Sequence, residues 1–291
     1  MTQKPHDQFA KQYLEGLLAP LGKVKIGQEV SPEVRQVDVY FSPLPTPSPS
    51  PPNLGLLGQM VETPCSLEPF RNSPSKTDIR NCMLKLYSLH SQLQRKAKRK
   101  NQTLTETELP QLWILTPSAS DRLLNSFGFT RKDKWEQGVY VLPEAQKTAL
   151  IAINRLSETP ETLWLRILGK GKLQERAILE LIALERENPL RIHALEQVAI
   201  WRVNLQMQAH PTTEQQELMM ALSPAYLQWR EEAVQQGQRM MLESMLTVRF
   251  GFVDEELAAT IDRLLKLPSQ EAVSLVLQCT REELLERFND R

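Results

Sequence analysis

The stretch EVRQVDVYFSP, residues 33–43, decides how the first half of the chain is read. Val37, Val39 and Phe41 alternate with Gln36, Asp38 and Tyr40. A side-chain period of two is that of a strand with one buried face. Asp38 stands in the middle of it. Aspartate is depleted in strands, because its side chain competes for backbone hydrogen bonds and its charge is costly to bury. Asp38 therefore lies either on a solvated face or in an acidic metal site.

Outward from this strand the chain alternates helix and strand. DQFAKQYLEGLL (7–18) places Phe9, Tyr13, Leu17 and Leu21 at helical spacing, and KVKIGQEV (23–30) reads as a first strand. After the Asp38 strand comes an insertion, residues 43–53, whose six prolines fix φ and remove donors, so that a surface loop without regular structure is expected. LGLLGQMVETP (54–64) is a short helix or turn. CSLEPF (65–70) is a strand that holds Glu68, and Pro69 within it points to an edge or a bulge. A long helix starts at Lys76, with Ser75 as N-cap and Asp78 completing a capping box. Ile79, Met83, Leu86, Leu89 and Leu93 form its apolar face, and it runs into RKAKRK (95–100). LWILTP (112–117) reads as a buried strand. SASDRLLNSFG (118–128) is a capped helix, and GVYVLP (138–143) and ALIAINRL (149–156) are two more strands.

From Thr159 onward the pattern is helical. The expected organisation is a sheet domain over 1–158 with the insertion at 43–53, a helical extension over 159–236 and a small helical module over 237–291. The fold class is α/β or α+β, a mixed sheet flanked by helices and followed by an all-helical half.

The 291 residues carry 35 basic and 35 acidic side chains, so any electrostatic footprint for nucleic acid must be local. Three widely spaced cysteines suggest neither a disulfide framework nor a zinc site, and the four histidines have no ligand spacing. No apolar leader and no long apolar run is present, which predicts a cytoplasmic protein without membrane association. Trp164, Trp201 and Trp229 read as core residues. Met219, Met220, Met240, Met241 and Met245 read as core or as an adaptable surface for a protein partner or a second copy of the chain.

Asp38 and Glu68 can share a hard divalent cation if their strands pair, because carboxylate oxygens offset the hydration that Mg²⁺ or Mn²⁺ loses. Glu15 is a third carboxylate. Arg71, Arg80 and Lys85 are candidate cations for developing charge. The RKAKRK run, with Arg95, Lys96, Lys98, Arg99 and Lys100, is either a solvated helix end favoured by the helix dipole or a phosphate contact.

A helix with Glu15, a hairpin with Asp38, a strand with Glu68 and a following helix resemble the PD-(D/E)xK nuclease core. More closely, KPHDQFAKQYLEGLLAPLG, EVRQVDVYF, LGLLG, LEPFRN, LPQLWILTPSAS, GVYVLP and ETLWLRILGKGKLQERAILEL are similar to a bacterial family, common in cyanobacteria, grouped with Rpn-type recombination-promoting, transposase-like nucleases. The tail, residues 241–288, looks like a helical module of unknown function found at the end of such chains. The resemblance implies a Mg²⁺- or Mn²⁺-dependent DNA endonuclease with Asp38 and Glu68 as metal ligands. Glu15 would complete the shell. The family pattern asks for Lys or Gln two residues after the second acid, and this chain has Phe70. Some relatives supply the lysine from the following helix, where Lys85 and Arg80 are the candidates. The alternative is a non-catalytic scaffold on an inactivated nuclease fold, binding protein partners through its helical half.

Overall fold

The computed structural model describes residues 5–29, 36–45 and 52–289. Residues 33–35 of the stretch quoted above and 46–51 of the proline-rich insertion lie outside them. The elements run α1 (Pro5–Leu18), β1 (Gly22–Glu29), β2 (Gln36–Pro43), α2 (Leu56–Met60), β3 (Cys65–Pro69), α3 (Lys76–Arg99), β4 (Gln111–Thr116), α4 (Asp121–Phe127), β5 (Val139–Val141) and β6 (Thr148–Ala152). Helices follow: α5 (Leu163–Arg166), α6 (Gly171–Ala183), α7 (Pro189–Gln206), α8 (Thr213–Phe250), α9 (Glu255–Leu264), α10 (Ser269–Gln278) and α11 (Arg281–Asn289).

The architecture is mixed α/β. Six strands form one sheet in the order β1-β2-β3-β4-β6-β5. β1, β2 and β3 are antiparallel to one another, β3, β4 and β6 are parallel, and β5 returns antiparallel to β6. The parallel strands are covered on both faces, β3 and β6 being buried at every position, and β4 and β6 are accordingly mostly apolar runs. β2 keeps its alternation, with Val37, Val39 and Phe41 fully buried and Asp38 and Tyr40 partly exposed.

Pro69 corrects the edge expectation for β3. This strand lies in the middle of the sheet, between β2 and β4. Proline is tolerated because it is the last residue of the strand, beyond the Cys65–Leu67 stretch whose register with β2 is laddered, so it removes no donor from that ladder. The expected strand over 149–156 is also shorter than its apolar run, since Ile153–Arg155 form a 3₁₀ turn.

Two further devices fix α3 and α4. Ser75 Oγ accepts from Asp78 N–H while the Asp78 carboxylate accepts from Ser75 N–H, a reciprocal capping box. Gly128 ends α4 in the left-handed region, with φ 79.

The chain divides into two compact units, residues 1–226 and 227–291. In the first, helices after residue 159 pack with the sheet domain. α1 lies along α7, Phe9 stacks on Trp201 with ring centroids 4.2 Å apart, and Tyr13 donates from its hydroxyl to the Trp164 carbonyl at 2.8 Å. In the second, Leu242, Leu246, Leu257, Ile261, Leu264, Val276 and Leu284 form a small core of their own. Among the described residues no helix is long and apolar enough to cross a membrane.

Candidate active site

Antiparallel pairing sets Val39 opposite Leu67 and Tyr40 opposite Ser66. Continuing that register by one residue sets Asp38 opposite Glu68, and directly opposed residues point to the same face. The two acids are tied together there: Asp38 N–H donates to Glu68 Oε1 at 3.3 Å. Glu68 sits near the carboxyl end of β3 and is 1 % exposed.

α3 crosses this face and supplies a cation. Lys85 Nζ donates to Glu68 Oε2 at 2.7 Å, and the Cys82 thiol, one turn earlier, lies 3.8 Å from the same oxygen. Phe70, two residues after Glu68, packs against the apolar cluster of Ile79, Cys82, Leu86 and Ile114. The cation beside Glu68 thus comes from α3 and not from the segment that follows β3.

A second lysine belongs to the site. Lys11 Nζ lies 2.9 Å from Asp38 Oδ1 and 2.9 Å from Asp7 Oδ2, and is nearly buried. Burial opposes its charge, but the bonds to Asp38 and Asp7 outweigh it and raise its pKa. Lys85 behaves likewise: burial disfavours the ammonium, the charges of Glu68 and Asp38 favour it, and the pKa ends raised. Glu68 moves the other way for a carboxyl group. Burial first, then the neighbouring Asp38 charge, push it up to about 8 against the pull of Lys85.

This shift has a stability consequence. Between the ordinary glutamate value of 4.5 and about 8, the folded chain keeps a proton that the unfolded chain releases. Stability must therefore fall as pH rises through that window. Glu68→Gln cannot ionise and removes this slope. In chelator its stability relative to wild type is expected to be higher at pH about 9 than at pH about 5. Urea unfolding of both chains at the two pH values reads this directly. An equal difference at both would contradict it.

The remaining candidates fall elsewhere. Glu15 is exposed on α1, and no hydrogen bond or ion pair joins it to Asp38 or Glu68. It does not complete the acidic shell; one turn earlier in α1, Lys11 reaches Asp38 instead. Arg80 is exposed and lies over the Phe127 ring, 5.9 Å from its centroid. Arg71 turns away to the Gly169 carbonyl. Arg95, Lys96, Lys98, Arg99 and Lys100 are exposed at the far end of α3. At about 1.5 Å rise per residue, Lys98 is roughly 20 Å along the helix from Lys85. Among the described residues no group of three or more His, Cys, Asp and Glu side chains is gathered as metal ligands.

Asp38 opens into a cleft of ≈ 700 Å³ that Phe70, Arg71, Asp78, Trp201 and Glu214 also line. Sequence reading missed Lys11, Asp7 and this far wall. Asp7 and Lys11 carried one local signal, an acid and a base four residues apart in a helix.

No family model, no curated protein and no solved structure matches the chain.

Proposed function

We propose that the chain is a divalent-metal-dependent DNA endonuclease with a PD-(D/E)xK-like sheet, of the recombination-promoting, transposase-like type. The observation that carries this reading is the position of Lys85. It brings an ammonium to Glu68 at 2.7 Å, on the strand next to Asp38, and so supports an acid–acid–lysine set despite Phe70.

The donor set suits a hard cation. Two carboxylates on paired strands offer oxygen ligands, and Mg²⁺ is commonly held by one or two carboxylates while keeping several waters. Asp38 and Glu68 would hold it. A bound Mg²⁺ or Mn²⁺ supplies charge neutralisation at a phosphate and a water of lowered pKa. Glu68 must give up its proton to serve as a ligand, so occupancy is expected to increase with pH up to about 8. Lys85 holds positive charge beside the site, where a phosphorane-like oxygen develops negative charge. Lys11 fixes the Asp38 carboxylate. Arg80, Arg95, Lys96, Lys98, Arg99 and Lys100 extend the same helix as an exposed basic track for the DNA backbone.

Phe70 favours a second reading, a non-catalytic scaffold on this fold. The exposed Met240 and Met241 of the second unit supply an adaptable apolar surface for a protein partner or a second copy in that case. One assay separates the two. Supercoiled plasmid incubated with the full chain is expected to be nicked or linearised in Mg²⁺ or Mn²⁺ and left intact in excess chelator. Plasmid left intact in every metal leaves the scaffold reading in front. Cutting that persists in chelator overturns the metal mechanism.

A further inference from the structure

The cleft beside Asp38 has a second, differently charged end. Arg71 follows β3 directly; its Cζ lies 5.6 Å from the centroid of the Trp201 ring, and its Nη1 donates to the Gly169 carbonyl at 3.1 Å. Lys170, next in the chain to Gly169, donates to Asn72 Oδ1 at 2.5 Å. Both cations converge on one side chain of α8. Glu214 Oε1 accepts from Lys170 at 2.5 Å and lies 3.7 Å from Arg71 Nη2.

This arrangement is unequal in a telling way. Arg71 and Lys170 are mostly sheltered, with side chains 19 % and 26 % exposed, while the Glu214 side chain is 57 % exposed. Two sheltered cations are thus matched by one carboxylate that stands half in solvent at the mouth of the cleft. The wall behind them leaves two polar groups unpaired. Trp201 is 1 % exposed and lines the cleft, yet its Nε1–H donor has no partner. An indole nitrogen can only donate, and a buried donor left unpaired costs about 1–3 kcal/mol. His6 lines the same cleft, and its Nε2 is buried without a partner. Burial, then Arg71 and Lys170, lower the His6 pKa to about 3, so the ring is neutral and adds no charge of its own.

We infer that Arg71 and Lys170 form a binding site for a phosphate group of the DNA backbone, and that Glu214 is an anionic plug which the phosphate displaces. A phosphate suits the site because it is an oxyanion with several acceptor lone pairs. A guanidinium fork and an ammonium bind it by charge, and the unpaired Trp201 indole N–H is a donor of the kind it can satisfy. The plug itself stands half in solvent, so its carboxylate returns readily to water when a phosphate takes its place. Asp38 lines the same cleft, so a strand anchored here would have its backbone led toward the carboxylates. The inference rests on the nuclease reading only for the owner of the phosphate.

The test is binding without cleavage. A fluorescein-labelled DNA duplex is titrated with full-length chain at low salt in excess chelator, and its anisotropy is followed. Glu214→Gln removes the competing charge and is expected to tighten binding by about tenfold. Glu217→Gln, one turn further along α8, removes an exposed charge of the same sign that holds neither cation, and should stay within about twofold of wild type. Adding Lys170→Met to Glu214→Gln should reverse the gain and reduce the salt slope by about one. Equal affinities for Glu214→Gln and wild type, or equal gains from Glu214→Gln and Glu217→Gln, would overturn the inference. So would a Lys170→Met chain that binds as before. Inorganic phosphate followed by tryptophan fluorescence is the second arm. A gain there with none for the duplex would overturn DNA as the source. Neither arm depends on cutting: a chain that binds as expected but never cleaves leaves this site standing and removes only the nuclease reading.

Discussion

Asp38→Ala is expected to reduce Mg²⁺-dependent cleavage of duplex DNA to the level seen in excess chelator. Among the described residues, Asp38 and Glu68 are the two carboxylates that meet on this face of the sheet. A cation held by two carboxylates and otherwise by water loses half its protein ligands when one is removed, and with them the fixed position that orients the attacking water. Glu68 alone does not replace the lost ligand, because its burial still favours the protonated carboxyl group. Removal of Asp38 also frees Lys11, which keeps a partner in Asp7 at 2.9 Å. The variant is therefore expected to fold, and its melting curve checks this. Cleavage at the wild-type rate by folded Asp38→Ala would remove the site from the mechanism.

Lys85→Met has the next largest expected effect, a loss on the order of 10²–10³ in rate, the scale of losing one preorganised charge-stabilising donor. Methionine keeps the apolar stem that packs along α3 and removes the ammonium. Part of the loss should come from Glu68. With the Lys85 charge gone, its downward pull on the Glu68 pKa is lost, so the proton competes harder with the cation. Raising the pH should then recover some of the rate in Lys85→Met, while wild type gains less over the same range. Lys85→Arg is expected to restore less than full activity, because a planar fork does not replace a point charge. Single-turnover rates across pH measure both effects. A rate within twofold of wild type would mark Lys85 as a structural partner of Glu68 only.

The strands and the first acid were legible because their signals are local. The period of two around Asp38 fixed the buried face of β2, and the Ser75–Asp78 box and Gly128 marked helix ends by short-range chemistry. Lys85 was legible as one of three candidate cations, with Arg71 and Arg80, from its place on the helix after the Glu68 strand. What stayed hidden was tertiary. Lys11 and Glu15 are four residues apart on α1, so they differ by about 40° around the helix. Lys11 borders the apolar face formed by Phe9, Tyr13, Leu14 and Leu17 and reaches β2, whereas Glu15 turns into solvent. No residue-level pattern separates them before the helix is docked. Pro69 misled for a related reason. Its missing donor matters only where a neighbour asks for one, and the register that ends at Leu67 is a property of the assembled sheet. The pairing of Lys170 with Glu214 joins the loop before α6 to α8 within the first unit, and charge alone could not choose it among so many exposed acids and bases.

The claim on which the rest depends is that Asp38 and Glu68 together hold a divalent cation. It is tested most directly by titrating the chain with Mn²⁺ and following the electron paramagnetic resonance signal of the free ion. Wild type is expected to bind one Mn²⁺ per chain, more tightly as pH rises toward 8, and Asp38→Ala to lose that ion. The same stoichiometry and affinity in wild type and Asp38→Ala, or no bound Mn²⁺ in wild type at any pH in this range, would contradict it.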